Sequence, residues 1–203
     1  DSEGVKNSSV LVLRALMLLR QLANHPRMID SNSDAASGKF AEVTESLGTI
    51  LSENHKVLVF SSFVRHLKLL EEFCLASGFK YAMLTGATTN REKVINSFKR
   101  KSDIQLFLIS LKAGGVGLNL TEADYVFILD PWWNPAAELQ ALNRAHRIGQ
   151  DKKVFVYRFI TKDTVEEKIV QLQQRKKDLA DLFVTSDSTI AGMTQDEIMA
   201  ILA

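Results

Sequence analysis

Between residues 56 and 160, short apolar runs alternate with stretches whose apolar positions recur at helical spacing. KVLVF (56–60), YAML (81–84), QLFLIS (105–110), YVFILD (125–130) and VFVYRFI (154–160) are strand candidates, mostly without in/out alternation. Such runs predict strands covered on both faces, as in a parallel sheet. Between them, 63–77 gathers Phe63, Leu67, Leu70, Phe73 and Cys74 on one helical side, and 90–100 does the same with Val94, Ile95 and Phe98. Thr89 and Asn90 are candidate caps for the second helix. The strand–helix alternation predicts a doubly wound α/β domain with right-handed crossovers.

Helical patterns also flank that core. Residues 9–23 carry Val10, Leu13, Leu16, Met17 and Leu19, and residues 39–54 follow the loop DSNSDAASG. A long, highly charged helix is expected over 164–183, and a short one over 194–202 after the linker VTSDSTIAG. The basic run Arg175, Lys176 and Lys177 reads as a solvated helix face rather than a binding site. The expected division is an N-terminal helical segment over 1–38, an α/β lobe over 39–162 and a C-terminal helical extension over 163–203.

Bulk charge decides little, because 25 Lys and Arg oppose 24 Asp and Glu for a formal net charge of +1, so any anion site must be local. One cysteine, Cys74, excludes a disulfide framework, and no Cys/His cluster has metal spacing. No metal site and no membrane partner are expected. The start, DSEGVKNSSV, has neither an initiator methionine nor a signal-peptide pattern, and reads as cut from a longer protein.

Candidate chemistry sits in the second half. NPAAELQALNRAHRIGQ reads as a capped helix, with Asn134 at the N-cap, Pro135 at the first helical position, Glu138 near the positive end of the dipole and Gly149 at a left-handed C-cap. Gln140, Arg144 and Arg147 then share one exposed face, four and three positions apart. An ordinary surface helix with salt bridges would carry the same pattern. LISLKAGGVGLNL places Lys112, Gly114, Gly115 and Gly117 just after a buried strand, where backbone N–H groups can approach a phosphate closely. A tight structural turn is the alternative. The run is neither a dinucleotide fingerprint nor a Walker A loop, since no Gly-Lys-Ser/Thr occurs anywhere in the chain.

SGKF, KVLVFSSF, LTGATT, LISLKAGGVGLNLTEADYVFILDPWWNP and QALNRAHRIGQ, in this order, closely resemble the second motor lobe of the SWI/SNF-type helicase-like ATPases, double-stranded DNA translocases of superfamily two. The resemblance runs from about Leu18 to Phe183, and its RAHRIGQ tail separates this family from other helicase-like motors. It implies a RecA-like fold with helices on both faces of a mainly parallel sheet. Compact spacing and the ending EEKIVQLQQRKKDLADLF look more like bacterial members.

The resemblance also implies roles. Arg144 and Arg147 match the family's arginine fingers, which reach the phosphates of ATP held by the other lobe, and Gln140 matches the glutamine that opens the same motif. Lys112, Gly114 and Gly115 match the DNA-backbone side of the fifth motif, with Gly117 and Asn119 on its nucleotide side. Ser61, Ser62, Thr85 and Gly86 stand at strand ends, where the family's loops hold one strand's phosphates; simple turn chemistry is the alternative. Trp133 matches a DNA-contacting tryptophan, although paired tryptophans also serve as packing anchors. Trp132 replaces an acidic residue of many eukaryotic members, and Leu111 replaces a threonine. His25, His55, His66 and His146 are read as packing or hydrogen-bonding residues.

The implied cofactor is ATP with Mg²⁺, both held mainly by a first lobe of the same polypeptide. Implied partners are double-stranded DNA, that first lobe and a DNA-bound protein as remodelling target. The place of action would be the nucleoid of a bacterium or the nucleus of a eukaryote. Two other readings stay open: a strand-separating DNA or RNA helicase lobe, and a non-catalytic nucleic-acid-binding module.

Overall fold

The computed structural model describes residues 2–114, 118–145 and 153–185, and for 2–10, 135, 137, 141, 144, 145, 176 and 179–185 it describes the backbone alone. The helix expected over 194–202, the C-cap Gly149 and His146 lie outside the described residues.

Five parallel strands form one sheet: β1 (Val57–Ser61), β2 (Tyr81–Leu84), β3 (Leu106–Ser110), β4 (Tyr125–Ile128) and β5 (Phe155–Arg158). Their order is β2-β3-β1-β4-β5. In register, Val57 of β1 pairs with Leu106 of β3 on one side and Tyr125 of β4 on the other. Three of the strands are therefore central. β1 and β3 are buried at every position, as their unbroken apolar runs predict.

Side chains alternate between two cores. Leu58 and Phe60 of β1, with Phe107 and Ile109 of β3, pack with Phe98, Val94 and Ile95 of α4 (Arg91–Arg100) and with Leu142 of α6 (Pro135–Ala145). Val57, Val59, Leu106 and Leu108 face the other way, onto Val43 and Leu47 of α2 (Gly38–Ser52) and Leu67, Leu70 and Cys74 of α3 (Val64–Ser77). Helices thus cover both faces, the doubly wound arrangement expected.

The helix starts follow local chemistry. Ser37 caps α2 by accepting from the Phe40 N–H, and Asn90, rather than Thr89, caps α4 through the Lys93 N–H. α3 ends at Gly78, whose φ of 73° is a left-handed conformation open to glycine without strain. Three features complete the picture, and two of them, the exposure of β5 and the extent of the first helix, depart from the sequence reading. β5 is an edge strand, and Phe155, Val156 and Tyr157 are exposed, because only β4 lies beside it and no layer covers either face fully. A single helical turn, α5 (Leu111–Gly114), follows β3 directly. α1 begins at Ser2 and runs to Asn24, and its Leu11, Val12, Leu13, Met17, Leu18, Leu19 and Leu22 are exposed. α1 packs beside α7 (Val165–Thr185), the charged helix that follows the sheet. No described helix is long and apolar enough to cross a membrane.

Candidate nucleic-acid and nucleotide edge

Because all five strands are parallel, the residues after each one meet at a single edge of the sheet. Ser61 at the end of β1 and Ser62 just past it stand there, with Thr85 and Gly86 after β2, Lys112 and Gly114 after β3, and Asp130 to Asn134 after β4. Loops collected at this edge form the usual ligand side of an open α/β sheet.

The β4 end leads into α6 as predicted. Asn134 Oδ1 accepts from the Ala136 N–H at 3.0 Å, and Pro135 occupies the first helical position. Glu138 does more than face the helix dipole. It is buried, accepts from the Trp132 N–H at 2.8 Å and from Gln173 Nε2 at 2.7 Å, and faces Arg158 Nε at 3.5 Å. This carboxylate joins α6, the loop before it, β5 and α7. Gln140 is exposed on α6, and Arg144 lies one turn farther along the same helix. The Arg144 side chain and the whole of Arg147 lie outside the described residues.

Around the β1 end, the hydroxyls turn inward. Ser61 is fully buried, and its Oγ donates to Asp130 Oδ1 at 2.5 Å. The Ser62 hydroxyl donates to Asp130 Oδ2, while the Ser62 N–H lies 3.2 Å from both carboxylate oxygens. For Ser61 this is turn chemistry, the alternative to phosphate contact, and it arises because an ionisable carboxylate at zero exposure must find donors. Arg20 of α1 completes the set, with Nη2 3.4 Å from Asp130 Oδ2.

A second buried pair adjoins it. Lys39 Nζ lies 2.5 Å from Glu166 Oε2, donates to the Leu129 carbonyl at 2.9 Å and to Asn24 Oδ1 at 3.2 Å; Asn24 Nδ2 in turn reaches Glu166 Oε1 at 3.1 Å. Burial pulls the Arg20 and Lys39 pKa values down and pushes those of Asp130 and Glu166 up, and in each case the facing partner opposes the shift. Sequence reasoning missed all of these residues. The available signal was a lone charge in apolar surroundings: Arg20 in LMLLRQL, Lys39 before Phe40, and Asp130 after YVFIL.

At the β2 and β3 ends Gly86 and Lys112 are exposed, while Thr85 is buried. The Thr85 Oγ1 accepts from the Ala87 N–H, the Thr85 N–H donates to Thr88 Oγ1, and a Cβ placed on Gly86 would meet nothing within 4 Å. Lys112 is exposed. Gly114 differs from expectation. It is buried, and a Cβ there would lie 3.3 Å from Phe60 Cε1 and 3.4 Å from Ile109 Cγ2, so this glycine lets α5 sit down on the sheet rather than baring backbone to an anion. Gly115 and Gly117 lie outside the described residues. Asn119 is exposed, and its carbonyl accepts from Lys99 Nζ.

Trp132 and Trp133 are half-buried. Both rings lie against the Arg20 guanidinium, at 5.3 and 5.5 Å from its Cζ to the ring centroids, so packing occupies at least part of each. The described histidines are engaged internally. His25 Nδ1 accepts from the Arg27 N–H, His55 Nδ1 lies 3.1 Å from Asp124, and His66 is fully buried with its pKa held down to about 3 by burial.

Residues 38–149 match the family model of the helicase conserved C-terminal domain. The chain is 39% identical over 194 residues to the human lymphoid-specific helicase, covering 88% of this chain and 23% of that protein. It is 38% identical over 190 residues to mouse SWI/SNF-related matrix-associated actin-dependent regulator of chromatin subfamily A member 1, covering 87% and 18%. To the ISWI chromatin-remodeling complex ATPase ISW2 of Saccharomyces cerevisiae it is 33% identical over 217 residues, covering 98% and 19%. The chain therefore spans about a fifth of the length of these relatives. Among solved structures, the Sulfolobus solfataricus SWI2/SNF2 ATPase core in complex with double-stranded DNA matches with a TM-score of 0.71 at 30% identity, over 94% of this chain and 41% of that one. The C-terminal part of the Fun30 ATPase domain matches with a TM-score of 0.64 at 38% identity, over 77% and 53%. The bacterial affinity expected from the sequence is not carried by these human, mouse, yeast and archaeal proteins.

Proposed function

The chain belongs to the helicase conserved C-terminal domain family, in its SWI/SNF branch, and from that premise we propose that it is the second lobe of an ATP-dependent motor that moves along double-stranded DNA. The observation that supports this most is the likeness to a SWI2/SNF2 ATPase core held on duplex DNA, which extends over nearly the whole chain. In this reading residues 39–162 are the motor lobe, 1–38 joins it to the first lobe, and 163–203 is a C-terminal brace.

ATP with Mg²⁺ supplies the phosphoryl chemistry and is held mainly by the first lobe. Among the described residues, no group of three His, Cys, Asp or Glu side chains is gathered so as to hold a metal ion. What this chain contributes is the α6 face. Gln140 is exposed on it, and Arg144 and Arg147 would extend that face toward the phosphates, where guanidinium groups stabilise developing charge. Gly117 and Asn119 would serve the same nucleotide. DNA phosphates would be held by Thr85, Gly86, Lys112 and Gly115, with Trp133 at the neighbouring end, contacts that position the duplex without reading sequence; Ser62, whose O–H and N–H both go to Asp130, holds the turn at that end. Ser61 and Gly114 support those loops from inside. Closure of the two lobes around nucleotide would then shift one set of phosphate contacts against the other.

An arginine finger is worth about 10³–10⁵ in rate. In the protein carrying both lobes, Arg147→Ala should therefore reduce DNA-stimulated ATP turnover by about three powers of ten or more. Unchanged turnover sinks the assignment. On its own, the present chain should hydrolyse ATP no faster than background. A strand-displacement assay beside a triplex-displacement assay separates the two motor readings, since unwinding activity favours a strand-separating helicase. The place of action follows the DNA: nucleus in a eukaryote, nucleoid in a bacterium. A DNA-bound protein is the proposed remodelling target.

A further inference from the structure

Arg20 heads the fully buried large side chains, and no role proposed so far uses it. It belongs to α1, outside the sheet, yet its guanidinium ends between the residues that follow β1 and those that follow β4. Nη2 lies 3.1 Å from Ser62 Oγ, 2.9 Å from the Pro131 carbonyl and 3.4 Å from Asp130 Oδ2. Its Cζ is 4.9 Å from the Phe63 ring centroid, in addition to its contacts with both indoles. One planar cation therefore touches Asp130, Pro131, Trp132 and Trp133 on one side, and Ser62 and Phe63 on the other.

Those three polar contacts all come from one nitrogen, Nη2, and what arginine adds to them is a flat surface for the Phe63, Trp132 and Trp133 rings, which lysine's compact point charge lacks. Burying a guanidinium is costly, and an apolar side chain of similar volume commonly serves stability as well or better. A loop that must present two indoles at a fixed place has a different requirement, namely several directional contacts made at once.

We propose that Arg20 is a positioning residue for DNA engagement: it fixes the 130–134 loop, and with it Trp133, against the Ser62 turn. The proposal rests on the motor reading above for what the loop engages, but not for how the loop is held.

Trp132 and Trp133 are the only tryptophans of this chain, so its intrinsic fluorescence reports on the loop directly. Arg20→Lys keeps a cation for Asp130 but gives up the flat surface against Phe63, Trp132 and Trp133. Acrylamide quenching of the variant should rise about twofold with an unchanged far-UV circular dichroism spectrum, because the indoles are released while the fold is kept. In the protein carrying both lobes, the DNA concentration giving half-maximal ATPase should rise about tenfold, while the rate at saturating DNA stays within about twofold, as expected when binding is weakened and chemistry is not. Quenching equal to wild type overturns the proposal. So does raised quenching with an unaltered DNA requirement, and so does a fall in the saturated rate alone, which would mark Arg20 as purely structural.

Should Arg20→Lys fail to fold, Ser62→Ala removes one acceptor and leaves the ion pair; a smaller rise in quenching is expected, and none at all overturns the proposal. Quenching is read without nucleotide or DNA. Failure of the motor reading shows separately, as unchanged turnover in Arg147→Ala.

Discussion

The carboxyl edge of the sheet has two halves that look alike in sequence and differ in structure. SSF at the end of β1 and LTG at the end of β2 are both hydroxyl-bearing turns at strand ends. After β1, every hydroxyl is drawn to Asp130, and Arg20 closes the set. After β2, Thr85 satisfies only its own turn, Gly86 stands open, and the next strand over delivers an exposed Lys112. The deciding residue is not in either turn. It is the acid at the end of β4, which makes the β1 half a scaffold and leaves the β2–β3 half free to meet an anion.

Removing that acid should have the largest effect. Asp130→Ala would leave Arg20 buried without its counter-charge, at a cost of about 3–5 kcal/mol, read as a lowered denaturant midpoint. A loss well under that range would mean that the β1 half is not organised around this carboxylate.

His66, also on the scaffold side, sharpens the contrast through pH. It is fully buried, and neither ring nitrogen has a hydrogen-bond partner among the described residues. Burial lowers its pKa from 6.5 to about 3, with the charges of Lys39 and His25 adding to the effect. Between those two values the unfolded chain binds a proton that the native chain refuses, so stability is present above pH 6.5 and is lost as pH falls toward 3. The slope is about 1.4 kcal/mol per pH unit. His66→Leu should flatten it, and an unflattened curve from pH-dependent urea melts would assign the acid sensitivity elsewhere.

Gly114→Ala tests where the open half begins. Its new methyl meets Phe60 and Ile109 at crowding distance, and overpacking of this kind costs about 1–3 kcal/mol. If the variant is instead as stable as wild type but weaker on DNA, Gly114 is a backbone contact after all. The smallest stability change is expected from Lys112→Ala, within about 0.5 kcal/mol as for other exposed positions. Its signature is on DNA, where the slope of log affinity against log salt should fall by about 0.9 for the one phosphate no longer neutralised. Equal slopes would close the open half too.

Much of this was legible in the sequence for a physical reason. β1 and β3 are buried on both faces, so an unbroken apolar run identified them; α6 has local caps, so Asn134 and Pro135 announced its start. β5 was misjudged because its apolar run looks the same, although its edge position exposes it. The scaffold escaped notice because its members are far apart in sequence: Arg20 and Asp130 are separated by 110 positions, Lys39 and Glu166 by 127. No local pattern encodes such a meeting. What remained was a charge where periodicity asked for an apolar residue, and that signal is weak until burial is known.

The apolar flank of α1 has a practical consequence. A helix bearing Leu11, Leu18, Leu19 and Leu22 toward solvent is a sticky surface, and copies of this chain should stick to one another through it as concentration rises. Sedimentation over a dilution series would show the onset, and fluorescence and melting measurements belong below it.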